Sequence, residues 1–159
     1  MTAYTPYQAE ASQGTLQLIY EYQSMMASLT GMDVSNASVY DGASGLAEAV
    51  LMAARASKKN RAGRVLVAES VHPHYTQTTR NIVRNQNVEI APIAFDENGR
   101  IDPAGLDALI TDTPPSALIL QQPNFFGGLE AVDAITDWAH AQGALVIAVV
   151  NPMSLGIFK

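Results

Sequence analysis

A three-layer α/β/α sandwich on a mostly parallel sheet is the fold class this sequence predicts, from three observations. Residues 64–68, 117–121 and 144–150 are short, almost wholly apolar runs, the composition of strands buried on both faces. Segments with helical spacing of apolar residues, or with a cap followed by proline, separate them. Turn chemistry marks the joints: Asn98-Gly99, Pro114-Pro115, Gly143 and Asn151-Pro152. Doubly buried strands separated by helices belong in parallel sheets whose two faces are covered.

The elements follow in order. Tyr4-Thr5-Pro6-Tyr7-Gln8 is not helical throughout, because Pro6 biases Thr5 toward an extended conformation. Leu16, Ile19, Tyr20, Gln23, Met26 and Ala27 recur at three-and-four spacing, predicting an amphipathic helix over 13–29 that ends at Thr30-Gly31. Residues 37–40 read as a short opening strand, followed by a glycine-containing turn and an Ala-rich helix over 43–57. A strand at 64–68, a proline-started helix at 73–85 and an alternating strand at 88–94 come next. Asp102-Pro103 opens a helix through 110. The strand at 117–121 runs into a loop over 122–128. A helix over 131–141 and the most apolar strand, 144–150, complete the order. The whole reads as one domain, with 1–14 an extended lead and 15–159 the α/β core.

The chain has 159 residues, 48% of them hydrophobic, enough for one domain with a real core. No apolar run approaches the roughly 20 residues that span a bilayer. The opening Met1-Thr2-Ala3-Tyr4-Thr5-Pro6 has neither the basic nor the apolar region of a signal peptide, so the expectation is a cytoplasmic protein without a membrane partner. The absence of cysteine removes disulfides, thiolate nucleophiles and Cys-ligated metals. A net charge of −6, with nine scattered basic residues, argues against nucleic acid. The densest cluster, Arg55-Ala56-Ser57-Lys58-Lys59-Asn60-Arg61, reads as a solvated helix end. His72-Pro73-His74 has no third ligand at a diagnostic spacing, so no metal site is expected, and His140 reads as a surface histidine. Gly42 and Gly45 lack the third glycine of a dinucleotide fingerprint.

Ligands of such sheets bind beyond the carboxyl ends of the strands. Four stretches fall at that edge: Tyr40-Asp41-Gly42-Ala43-Ser44, Glu69-Ser70-Val71-His72-Pro73-His74, Gln122-Pro123-Asn124-Phe125 and Asn151-Pro152-Met153-Ser154. At the first, the unpaired amides of Gly42, Ala43 and Ser44 and the positive end of the helix dipole suit an anion, with phosphate the natural candidate. The competing reading is that Asp41 caps the helix and satisfies those amides itself. Tyr4 and Tyr7 suit ligand contact, an interface or the core, since each ring pairs an apolar body with a hydroxyl.

With Tyr4-Thr5-Pro6-Tyr7-Gln8 and Ser12-Gln13-Gly14, then residues 30–38 (Thr-Gly-Met-Asp-Val-Ser-Asn-Ala-Ser), Tyr40-Asp41-Gly42-Ala43 and Gln122-Pro123-Asn124-Phe125-Phe126-Gly127, the sequence resembles the glycine dehydrogenase (decarboxylating) or P-protein family of the glycine cleavage system. The likeness is to its N-terminal subunit and spans nearly the whole chain. It implies the large domain of a pyridoxal-phosphate-dependent transferase of fold type I. It also implies a reaction in which glycine is decarboxylated and its aminomethyl group passes to the lipoyl group of the H protein, the cofactor serving as electron sink.

On that resemblance, Gly42, Ala43 and Ser44 lie beside the cofactor phosphate, His72 on its ring, Asn124 near its phenolic oxygen and Asn151 beneath its pyridine nitrogen. Three departures point the other way. A working enzyme of this fold has Asp under the ring nitrogen, and Asn151 supplies no charge. Asp41 sets a carboxylate where a dianion would sit. The lysines are Lys58 and Lys59 in the charged helix end and Lys159 at the last position, none a credible Schiff-base residue. The expectation is therefore a subunit with no catalytic residue of its own, working with a lysine-bearing subunit 2 that carries the pyridoxal phosphate. The resemblance further implies that Tyr4, Thr5, Tyr7 and Gln8 reach the partner's site and meet substrate. The family's subunit is longer, so the chain reads as a piece of the large domain. Two other readings stay open: a segment of a self-sufficient pyridoxal-phosphate aminotransferase or carbon–sulfur lyase, and a non-catalytic structural subunit.

Overall fold

Four parallel strands organise residues 40–154: β1 (Arg64–Ala68), β2 (Glu89–Ile93), β3 (Ala117–Gln122) and β4 (Leu145–Val150), in the spatial order β2-β1-β3-β4. The structure, a computed structural model, describes residues 5, 7–57 and 63–157. These belong to two compact units, residues 40–154 and residues 1–39 with 155–159. All five residues of β1 are buried. Because alternate side chains point to opposite faces, both faces of the sheet are covered there. β3 is buried over its first four residues and turns half-buried at Gln121 and Gln122, where it approaches the edge that ligands use in such sheets.

Helix α2 (Gly42–Ala56) buries Ala43, Leu46, Ala47, Val50 and Ala53, a stripe at three-and-four spacing. It packs on α3 (Pro73–Val83) and reaches β1, β3 and β4. Helix α4 (Val132–Ala141) packs on β4 and on a 3-10 segment, Pro103–Leu109, to which the Trp138 indole N–H donates through Asp107 Oδ1 at 2.8 Å. The core unites Leu66, Val67, Leu106, Leu118, Ile119 and Ile135 with their neighbours. In the other unit α1 (Gln13–Thr30) ends at Gly31, whose φ of 69° makes the left-handed cap expected of a terminal glycine, and it buries no residue.

The structure corrects three expectations. Residues 37–40 form no strand; the described residues offer them no ladder partner, and Val39 and Tyr40 are exposed. The helix opened by Asp102-Pro103 is 3-10, with the Asp102 carboxylate accepting from Ala104 N–H at 3.0 Å and Gly105 inside the short run. β4, the most apolar strand, is not buried on both faces among the described residues: Leu145, Ala148 and Val150 are exposed and Val146, Ile147 and Val149 half-buried.

Candidate functional site

The chain leaves β1 for β2 on one side and returns to place β3 on the other, so the sheet's switch point lies between the carboxyl ends of β1 and β3. His72 follows β1 and Asn124 follows β3. An open cleft of about 560 Å³ lies here, lined by Asp41, Gly42, Ala43, His72, Tyr75 and Thr78 among others.

His72 caps α3. Its Nδ1 accepts from the His74 main-chain N–H at 3.2 Å, which leaves Nε2 to carry the proton of the neutral ring. Its own main-chain N–H donates to Gln121 Oε1 at 2.9 Å, tying the start of α3 to the end of β3. The Phe125 ring lies T-shaped to it at 5.0 Å between centroids, and the Tyr75 ring lies at 5.3 Å and 34°.

At the start of α2, Asp41 Oδ1 accepts from Ser44 N–H at 2.7 Å. The carboxyl titrates below the ordinary aspartate value, first because this backbone amide favours the charged form; the Ser44 side chain and the Ala43 amide add to the effect and partial desolvation opposes it. A lowered folded-state value means that the carboxylate's contribution is present above the ordinary aspartate value and is lost as pH falls through the lowered one. Asp41→Asn is expected to keep the cap at neutral pH while flattening this acid-side loss, checked by thermal unfolding from neutral to strongly acidic pH. The other occupant of the turn is Tyr75: a methyl group at Gly42 would overlap its hydroxyl, so the phenol lies directly over the first turn of α2.

Asn124 is 3% exposed and its amide is fully committed. Nδ2 donates to Gly99 O at 2.8 Å and Glu130 Oε1 at 2.9 Å, while Oδ1 accepts from Phe126 N–H at 3.0 Å and Gly128 N–H at 2.9 Å. Asn151 is exposed after β4 and folds onto its own turn, with Oδ1 accepting from Met153 N–H at 3.1 Å and its carbonyl accepting from Ser154.

Gly42, Ala43 and His72 thus meet on one cleft, with Ser44 capped beside it; the amide groups of Asn124 and Asn151 are engaged elsewhere. Thr5, Tyr7 and Gln8 belong to the other unit, where Tyr7 is 84% exposed; Tyr4 lies outside the described residues, as do Lys58, Lys59 and Lys159. Sequence reasoning missed Tyr75, Gln121 and Glu130. The polar pair Gln121-Gln122 closing an apolar strand was the available signal for the second; Tyr75 had none, since a half-buried tyrosine in the first turn of a helix reads as ordinary core packing. Among the described residues no helix is long and apolar enough to cross a membrane, and no three His, Cys, Asp or Glu side chains are arranged to hold a metal ion.

A parallel sheet with its switch point at this cleft is the large-domain architecture of fold type I pyridoxal phosphate enzymes. Mouse CSAD shares the fold at a TM-score of 0.75 and 16% identity, over 96% of this chain and 36% of that one. The model of the glycine cleavage system P-protein family matches residues 1–159, and the chain belongs to that family. It is 60% identical over 159 residues to the probable glycine dehydrogenase (decarboxylating) subunit 1 of Thioalkalivibrio sulfidiphilus, covering 99% of this chain and 35% of that protein. To its counterpart in Alcanivorax borkumensis it is 61% identical over 158 residues, covering 98% and 34%. A crystal structure of glycine decarboxylase (P-protein) of the glycine cleavage system, in inhibitor-bound form, superposes at a TM-score of 0.83 with 40% identity, over 99% of this chain and 34% of that one. The chain spans about a third of the length of the curated relatives it matches.

Proposed function

We propose that this chain is a segment of subunit 1 of a glycine decarboxylase, and that it completes the enzyme without holding the cofactor itself. The observation that carries the reading is the family match along the whole chain, joined to 60% identity with a protein named as subunit 1. In the proposed assembly, subunit 2 holds pyridoxal phosphate on its lysine, and that cofactor supplies the electron sink for decarboxylating glycine before the aminomethyl group passes to the lipoylated H protein. The setting is the cytoplasm.

The residues described here do not fit the cofactor. A dianionic phosphate at the α2 N-terminus would face the Asp41 carboxylate and the Tyr75 phenol, both already in place. The Asn124 amide has no capacity left for a phenolic oxygen, and Asn151 brings no negative charge to a pyridinium. Gly42, Ala43 and His72 are accordingly read as walls of a cleft that keeps a cofactor site's outline, with Ser44 capped beside it. What this chain offers substrate is its lead: Tyr4, Thr5, Tyr7 and Gln8 orient glycine at the partner's site by hydrogen bonding. The 84% exposure of Tyr7 leaves its phenol available for that role.

Full-length subunit 1 purified alone is expected to show no internal-aldimine absorbance and no borohydride-trapped cofactor. Mixing with subunit 2 is expected to restore glycine-dependent bicarbonate exchange, reduced when Tyr7 is replaced with Phe. A trapped lysine adduct in the isolated subunit would instead make the protein a self-sufficient enzyme. Exchange by subunit 2 alone at the full rate would make this subunit structural.

A further inference from the structure

Glu130 has no part in the function proposed above, yet it is the most heavily engaged buried carboxylate in the unit. It is 6% exposed and sits just before α4. Three donors converge on its two oxygens. Ser70 Oγ donates to Oε1 at 2.7 Å, Asn124 Nδ2 to the same oxygen at 2.9 Å, and the Ile101 main-chain N–H to Oε2 at 2.9 Å. Its own N–H donates to Gln122 Oε1 at 2.9 Å. The side chain therefore joins three segments distant in sequence: the turn after β1, the loop after β3 and the turn around Gly99 that precedes Ile101.

Two of those segments carry the walls of the histidine. Ser70, itself buried, stands two residues before His72 and accepts the Phe125 N–H through its carbonyl at 2.8 Å. Asn124 precedes Phe125, whose ring packs T-shaped on His72, and holds the loop closed by accepting from Phe126 and Gly128. Hydrogen bonds to a carboxylate are among the stronger ones in proteins, and buried networks of this kind act as a unit. From this geometry we infer that Glu130 is a positioning residue for His72: by gripping Ser70 and Asn124 at once, it holds the backbone of one segment and the Phe125 ring of the other against the imidazole. The inference rests on these contacts and not on the reaction assigned to the protein.

Glu130→Gln tests it with little change of shape. A glutamine presents an NH2 group in place of one oxygen. Turned one way, that group faces the Ile101 N–H; turned the other, it faces Asn124 Nδ2; in either pose two donors oppose each other. Loss of one such buried bond raises the fraction of locally open site about tenfold. In full-length subunit assembled with its partner, the rate of His72 carbethoxylation by diethyl pyrocarbonate, read by peptide mass spectrometry, is expected to rise by about that factor over wild type. The exposed His140 on α4 is the internal reference and is expected to keep its wild-type rate. An unchanged His72 rate, or an equal rise at His72 and His140, would overturn the inference, the second outcome marking a general loss of stability. If Glu130→Gln yields no folded protein, Ser70→Ala decides: a several-fold rise confined to His72 supports positioning, and no rise overturns it.

Discussion

Replacing Gly63 with Ala is expected to lower the unfolding free energy of the full-length protein by about 2–4 kcal/mol, two penalties acting together. Gly63 is buried immediately before β1 with φ +70°, a conformation that costs an L-residue roughly 1–2 kcal/mol. A methyl group there would also overlap the Asn87 carbonyl oxygen, which belongs to the backbone and not to a side chain that can swing away. Neither partner is free to move, because the Gly63 carbonyl accepts from Glu89 N–H at 3.0 Å and so sets the register in which β2 begins beside β1. Gly31 is the matched control. Its φ of +69° is the same but nothing lies within 4 Å of the added carbon, so Gly31→Ala should show the conformational penalty alone. Denaturant midpoints for the two variants, at unchanged slope, measure the difference. Equal losses would mean that the Asn87 overlap relaxes at no cost.

Leu118→Ala is expected to cost about 2–5 kcal/mol, the range for emptying a leucine site in a core that collapses only in part. Leu118 is fully buried near the start of β3, registered between Leu66 on β1 and Val146 on β4. Packing around a doubly covered central strand leaves few neighbours able to fill the void. The same replacement at Leu145, the first residue of β4, should cost much less, since the residue is 43% exposed and water already reaches the site. Equilibrium denaturation of both variants checks the ordering. Since β3 also carries Gln121 to the His72 amide, the core variant is expected to loosen the cleft as well as the sheet.

Periodicity made much of this architecture readable before any coordinates. Helix α1 ends where Thr30-Gly31 says it should, β1 covers the predicted apolar run, and the proline at residue 73 opens α3. These are local effects: a left-handed glycine cap, a run of branched apolar side chains and a proline without an N–H act wherever they occur. The errors arose where a neighbour decides. Residues 37–40 have strand composition but no ladder to join among the described residues, and β4 has a core composition but residues only half-buried or exposed.

The sequence by itself determined the order of the elements from α2 onward and the polar stretches that end the strands, because these are written in short-range composition and spacing, and its motifs carried the resemblance to the family. Only the tertiary structure decided what those polar groups do. It laid the Tyr75 phenol over Gly42, committed Asn124 within its own loop and brought Ser70, Ile101 and Asn124 to the Glu130 carboxylate. The physical reason is that a hydrogen bond or a steric overlap depends on distances of a few tenths of an ångström between segments tens of residues apart, and those distances exist only once the sheet has set them.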